Sequence, residues 1–520
     1  MITSIVDKHD SKFQRLFEIM PGLLTWTFML SPIWLGLLYP EAAVYLLIFL
    51  AIYWVYLSAK FTLGLFLGYK KYTNEIAIDW LKACKELDFS TLPDKPTLPD
   101  SLDDTHHLLL IPAVNESKEI LKGPIDAFLS QTYPLERIIL CYSVEEKYYD
   151  MVKENILDLL GDNIKRFEKV LIEKHPAGIP GEAIGSGAGN RTWGAKKAKE
   201  YLEANNKPIK NYILTHFDAD HVPHEQFLSR LAHLYLKTDR RNNHFYATSV
   251  HLFNNNHWEV PAMMRFEANF VTMGTLANRS IPWGIEPLTK DTFASYSSSF
   301  QTLIDADYFD VSVGVDDSVF FWRAFFVRDG DFKGASHYIP YSADAVLGTS
   351  YWNSYVSLYK QLLRWGWGVV VVPIAFKGFL TNKKVPLTTK LIWTIKHLKM
   401  RVIMVNISFL ITFGFGILTL ANPNVRLTTF NYSLPDIISI ILSFALVFII
   451  PGTIIRQKIT TPMPKDWPVY KKLFAMLEGP LAIINLLTYS FVPFIEAQTR
   501  MLLGKKMKDL YHTPKVRANS

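Results

Sequence analysis

The sequence predicts an α/β domain with a mixed, mostly parallel sheet, inserted between N- and C-terminal transmembrane helices. Three observations carry this expectation. Hydrophobic residues make up 49% of the 520 positions and charged residues only 20%, with the charges crowded into the middle of the chain. Apolar runs near the ~20 residues that a helix needs to cross hydrocarbon lie towards both ends. Between them, short apolar strands alternate with helical patterns, as in a parallel sheet. This composition excludes a disordered or fibrous chain and disfavours a wholly soluble enzyme. Two cysteines, Cys84 and Cys141, are too few for a disulfide framework or a Cys-rich metal centre. The net charge of +7 lies largely beside the apolar runs, where it orients membrane segments; no nucleic-acid partner is expected.

Taken in order, residues 1–20 are a polar start holding Lys8, Lys12 and Arg15. Runs 21–39 and 42–67, parted by Pro40 and Glu41, read as two transmembrane helices within 21–68. A second run following at once, without a small-residue cleavage site, argues against a signal peptide. Lys70 and Lys71 flank the exit, so the positive-inside rule puts the N-terminus and roughly the next 300 residues in the cytoplasm. Residues 69–103 are a linker. In 104–350, strands are predicted at 107–111, 137–141, 169–172 and 211–217. Helices are predicted at 117–130, 147–160 and 192–205, with a glycine-rich loop at 178–189. Residues 351–400 read as interfacial helices, and runs 402–421 and 437–455 as two transmembrane helices within 401–455. The remainder, 456–520, holds Glu478, Pro480, Pro493 and Glu496 in an apolar stretch, then the lysines 505, 506, 508 and 515. A broken or interfacial segment with a cytoplasmic C-terminus fits that pattern best. The expectation is thus a multi-pass protein of the cell membrane, its central domain facing the cytoplasm.

Ligands of parallel sheets gather at the carboxyl ends of the strands, and the fourth predicted strand ends in Asp218-Ala219-Asp220. Two carboxylates at this spacing can share Mg2+ or Mn2+, which would bridge the phosphates of a nucleotide. Taken alone, the pattern is more often a capped turn. Asp305-Ala306-Asp307 repeats the tripeptide without the strand-end context, so position favours the first copy. A second acidic pair, Asp316-Asp317, opens an apolar helix at 319–327. Its bland reading is stabilisation by the helix dipole; its functional reading is a general base whose proton affinity is raised by burial and the neighbouring carboxylate.

Further on, Gln361, Arg364 and Trp365 fall on one helical face, being three and four residues apart. Arg offers a fork for a diphosphate, Trp a plane for a sugar ring, and Gln a partner for hydroxyls. An amphipathic helix at the bilayer surface would show the same pattern, and both readings can hold together.

In this order, Ile111-Pro112-Ala113-Val114-Asn115-Glu116, Ser130-Gln131-Thr132-Tyr133-Pro134, Asp218-Ala219-Asp220, Asp316-Asp317 and Gln361-x-x-Arg364-Trp365 resemble the membrane-embedded family-two glycosyltransferases. That group includes the cellulose, curdlan and hyaluronan synthases. The resemblance covers roughly residues 104–380 and implies a GT-A-like nucleotide-sugar-binding domain. It implies Asp218 and Asp220 as metal and donor ligands, Asp317 as base with Asp316 beside it, and Gln361, Arg364 and Trp365 around the acceptor, Arg364 also on the donor diphosphate. Asn115, Glu116 and Glu145 are implied on the donor. Where relatives end the second strand in Asp-Asp, this chain reads Glu145-Glu146, and where they read Glu-Asp later it has Asp316-Asp317. Asn190 and Arg191 stand where relatives carry a donor-binding segment. The implied reaction is an inverting transfer from a nucleotide sugar, with a UDP-sugar as the expected donor, to a growing glycan that could leave through the membrane helices.

Single-sugar transfer to a lipid acceptor would use the same fold and groups. So lean a bundle of spans leaves room for self-association or a partner subunit. A transporter should show intramembrane polar residues or inverted repeats, whereas Lys60 and Asn406 are the main polar exceptions in the four runs. A catalytically inactive assembly partner is a third reading, which the retained carboxylates oppose.

Overall fold

A computed structural model describes residues 8–183, 185, 187–427, 429–447, 449–507, 511, 513 and 515. Among the described residues, ten strands form two sheets: β1 (His106–Ala113), β2 (Ile138–Glu145), β3 (Lys169–His175), β4 (Tyr212–His216), β5 (Val222–Pro223), β6 (His244–Thr248), β7 (His251–Leu252), β8 (Ser297–Ser299), β9 (Lys333–His337) and β10 (Tyr341–Ser342). The main sheet has the order β3-β2-β1-β4-β8-β6-β9, and β5-β10-β7 form the small one. β1 pairs parallel with β2 and β4, β2 with β3, and β6 with β9; β8 runs antiparallel to β4 and β6. The sheet is therefore mixed and mostly parallel, as expected.

Both faces of the central strands are covered, which is why they read as continuous apolar runs. Successive side chains alternate between two cores. Leu109, Ile111, Leu140 and Tyr142 join Ile125 and Phe128 of the helix Lys118–Leu129. Leu108, Leu110, Ile139 and Cys141 meet Ala195, Ala198 and Leu202 of the helix Gly187–Ala204. That second helix begins inside the glycine-rich stretch expected to be a loop. Small residues allow its close approach, since a Cβ on Gly194 would stand 2.8 Å from Leu110 Cδ1 and 3.1 Å from Ser143 Cβ.

The chain moves outward from β1 through β2 to β3, then returns to place β4 on the other side of β1. The direction of winding thus reverses between β1 and β4, and a crevice opens at the carboxyl ends of those strands. This reversal positions the site.

Four helices among the described residues are long and apolar enough to cross a membrane: Pro40–Ile76, Tyr351–Thr381, Leu387–Ala421 and Leu481–Leu502. The first predicted run is bent: Asp10–Met29 and Ser31–Leu38 meet at 59°. The run at 437–455 divides into Leu434–Leu446 and Ile449–Ile459, with residue 448 outside the described residues. In Tyr351–Thr381, 56% of the apolar window is buried inside the protein, so much of its apolar surface is used in packing on the domain. The stretch 473–503 carries helices Leu481–Leu487 and Val492–Leu502, and its Glu478 is held by Arg265 and its Asn485 by Glu267. Lys60 is ion-paired to Glu286 at 2.7 Å, and Asn406 Nδ2 donates to Val402 O at 2.8 Å.

The helix Pro40–Ile76, ~55 Å long at 1.5 Å per residue, exceeds the ~30 Å of hydrocarbon and continues onto the domain. There Glu75 takes two bonds from Arg230, 3.0 Å and 2.9 Å, and a third from the Tyr338 N–H at 2.8 Å.

Candidate active site

Three strand ends and three helices supply the crevice. After β1 the chain turns sharply, and the Val114 N–H donates to Glu116 Oε2 at 2.6 Å. This folds the Glu116 side chain inward, where the residue is 5% exposed, and leaves Asn115 at the exposed rim. At the end of β2, Glu145 accepts from Asn190 Nδ2 at 3.1 Å and lies 3.8 Å from His175 Nδ1. Its neighbour Glu146 instead accepts from the Ala177 N–H at 3.0 Å. Glu145 is thus the member of the pair joined to the helix that carries Arg191.

Arg191 ties the site together. Its Nη2 donates to Asp218 Oδ1 and its Nη1 to Asp316 Oδ2, each at 2.7 Å. One guanidinium therefore joins the acidic turn after β4 to the start of the helix Asp316–Val327, almost a hundred residues apart in the chain. Asp220 turns the other way, accepting from the Asp344 N–H at 2.9 Å through Oδ2 and from Lys515 Nζ at 2.6 Å through Oδ1. Lys515 Nζ is also 3.9 Å from Glu116 Oε1.

His221 completes the turn. Its Nδ1 lies 2.6 Å from Ser295 Oγ and its Nε2 3.8 Å from Asp218 Oδ2. Ligand atoms of Asp218, Asp220 and His221 all lie within 4.8 Å of one another, which fits one divalent ion. Electrostatics agree with that use. Burial pushes the Asp218 carboxyl up, but Arg191, His221 and Lys515 outweigh it and hold the group well below the usual range. Burial lowers His221 despite the two carboxylates, which keeps the ring largely neutral at pH 7.

Asp317 is set apart from these ligands. The Ser318 N–H donates to its Oδ1 at 2.7 Å and the Ala294 N–H to its Oδ2 at 3.0 Å. Burial and the adjacent Asp316 nevertheless push its pKa up to about 6, against the opposing pull of those amides and Arg191. A carboxylate raised in this way binds a proton nearer neutral pH than an exposed one does.

Gln361, Arg364 and Trp365 stand on the helix Tyr351–Gly366, which Ser350 caps by accepting from the Asn353 N–H at 3.2 Å. Leu358 and Leu362 of the same helix are buried in a cluster with Val260 and Met264. Gln361 and Arg364 are half-buried, and Trp365 is 37% exposed. Arg364 lies within electrostatic reach of Asp218, Asp317, Asp316 and Arg191, and its Nε has no hydrogen-bond partner among the described residues.

Asp305 and Asp307 of the repeated tripeptide lie elsewhere, paired with Arg328 at 2.6 Å and Arg323 at 2.8 Å. His221 has no role in the sequence-based expectations, although it directly follows the second aspartate, and Arg191 enters them only by its place in the donor-binding segment. It had no signal for Lys515, whose contact with Asp220 spans nearly three hundred positions.

No known protein family matches this chain, and no curated protein matches it. Among solved structures it is similar to the mannosyltransferase PcManGT from Pyrobaculum calidifontis in complex with GDP-Man and Mn2+. The identity there is 11% and the TM-score 0.38, over 77% of this chain and 99% of that one. It is also similar to S. aureus TarS 1-349 at 10% identity and a TM-score of 0.29, over 68% of this chain and 91% of that one. Likenesses this distant define no activity for the chain, which is read below from its own geometry.

Proposed function

We propose that the chain is an inverting, membrane-embedded glycosyltransferase with a GT-A-like domain, which takes sugar from a nucleotide donor, a UDP-sugar first, at the cytoplasmic side. The observation that carries this reading is the Arg191 bridge, because it brings Asp218 and Asp316 into one crevice beside Asp317. Asp317 takes the proton of an acceptor hydroxyl as that oxygen bonds to the anomeric carbon. The bond from that carbon to the diphosphate breaks in the same step, and the nucleoside diphosphate departs. Asp218 and Asp220, with His221, would hold a Mg2+ or Mn2+ ion that neutralises charge on the departing diphosphate. Arg364 orients the donor phosphates, while Glu116, Asn115 and Glu145 line the nucleotide end. Gln361 and Trp365 meet the acceptor sugar, whose face stacks on the indole.

The product we favour is a polysaccharide, extended at the Gln-x-x-Arg-Trp helix and passed into the adjoining membrane helices. Transfer of one sugar to a lipid uses the same groups, and an experiment separates the two. Purified protein in detergent is offered radiolabelled nucleotide sugars with Mg2+ or Mn2+. Label in high-molecular-weight material supports polymerisation; label only in an organic extract supports the lipid acceptor; none from any donor removes the reading.

A further inference from the structure

Asp218, Asp220 and Asp316 each meet a cation from the chain itself. Arg191 takes Asp218 and Asp316; the other cation, Lys515, comes from the segment beyond the helix Val492–Leu502. Three described residues of that segment dock at successive points. Met507 packs on the cluster of Trp367, Val372 and Met501. Tyr511 places its hydroxyl 2.7 Å from Oγ of the buried Ser357, and Lys360 Nζ lies 4.8 Å from its ring centroid. Lys515, with a side chain 20% exposed, reaches Asp220 Oδ1 at 2.6 Å and stands 3.9 Å from Glu116 Oε1. Met507 and Tyr511 thus lie against the stretch that carries Gln361, Arg364 and Trp365, and Lys515 lies in the crevice.

We infer that Lys515 is a tethered occupant of the divalent-cation site, so that metal and donor enter only as its ammonium leaves Asp220. The inference rests on reading Asp218 and Asp220 as cation ligands. A divalent ion ligates a carboxylate oxygen at ~2.0–2.6 Å, which is the position the ammonium holds, and two cations cannot share that oxygen without strong repulsion. Tethering gives the lysine a high effective concentration, whereas a single ion pair is weak enough for a metal-bound nucleoside diphosphate to displace. The segment then acts as a built-in competitor that sets how much metal and donor the site requires.

The test is binding of Mn2+ alone to the full chain in detergent, followed by the electron paramagnetic resonance of the free ion. Lys515→Met is expected to tighten binding about 3- to 10-fold, Lys515→Arg to bind as the parent does, and Tyr511→Ala, which loosens the docking without touching the ion, to shift in the same direction as Lys515→Met. Equal affinities for the parent, Lys515→Met and Tyr511→Ala, with binding abolished by Asp220→Asn, would overturn the competition and leave the cation site intact. Failure of the parent and of Lys515→Met alike to bind Mn2+ would overturn both the cation site and the competition. Binding by Lys515→Met when the parent does not bind would support the inference directly.

Discussion

Asp316 and Asp317 are neighbours in the chain but meet different surroundings. Asp316 is neutralised by Arg191, whereas Asp317 is held by two backbone amides and pressed by burial and by Asp316. Asp317→Asn should lower kcat by about 10²- to 10⁴-fold, with donor affinity measured by titration nearly unchanged. A base must be ionised to act, and burial with Asp316 puts this carboxyl at about 6. Activity should therefore be low below pH 6, rise through it and level above, as the pH profile of kcat/KM will show. Arg191 favours the ionised form, so Arg191→Ala should move that rising limb to higher pH by roughly one unit. An unmoved limb would dissociate the limb from Asp317. At this scale the carboxylates were legible because a repeated acidic pattern stands out in the sequence. Their counterions were not, since nothing in the spacing of Arg191 or Lys515 marks which acid each will meet.

At the scale of elements, β1 to β4 lie within a few residues of their predicted positions, because strands covered on both faces leave unbroken apolar runs. The strands β5 to β10 were not predicted. Several have only two or three residues, and Ser297–Ser299 has no apolar pattern at all; hydrogen bonding to β4 and β6 makes it a strand. The helix Gly187–Ala204 also began earlier than predicted, since glycines there serve close packing as well as flexibility. Gly194→Val should therefore destabilise the protein by about 1–3 kcal/mol, read from denaturation in detergent, as the new side chain forces the helix away from Leu110 and Ser143. Leu358 and Leu362 anchor the helix Tyr351–Gly366 on Val260 and Met264, which fixes where Gln361, Arg364 and Trp365 stand.

For the whole molecule, the helix Pro40–Ile76 is long and apolar enough to cross a bilayer and runs on to the domain. Its Gly64 approaches the helix Ala262–Ser280 so closely that a Cβ would stand 2.6 Å from Ala277 O. Glu75 at its far end grips Arg230, whose guanidinium also stacks 4.2 Å from the Trp80 ring. Glu75→Ala should cost about 1–3 kcal/mol, because a poorly exposed Arg230 loses its bidentate partner; Glu75→Gln should cost less. Thermal unfolding of the purified variants checks both. Polar residues inside apolar segments follow the same logic, since Lys60 meets Glu286, Glu286 also meets Lys399, and Glu478 meets Arg265. Each of these pairs ties an apolar segment to the domain.

The class of architecture is already written in the order of residues: apolar length marks helices able to cross a bilayer, and alternating patterns mark a covered sheet, because burial acts on each segment separately. Convergence was decided only by the tertiary structure. The reversal of winding between β1 and β4 brings distant carboxylates into one crevice, and Arg191 and Lys515 meet them there. Coulombic pairing depends on distance in space, which position along the chain does not encode.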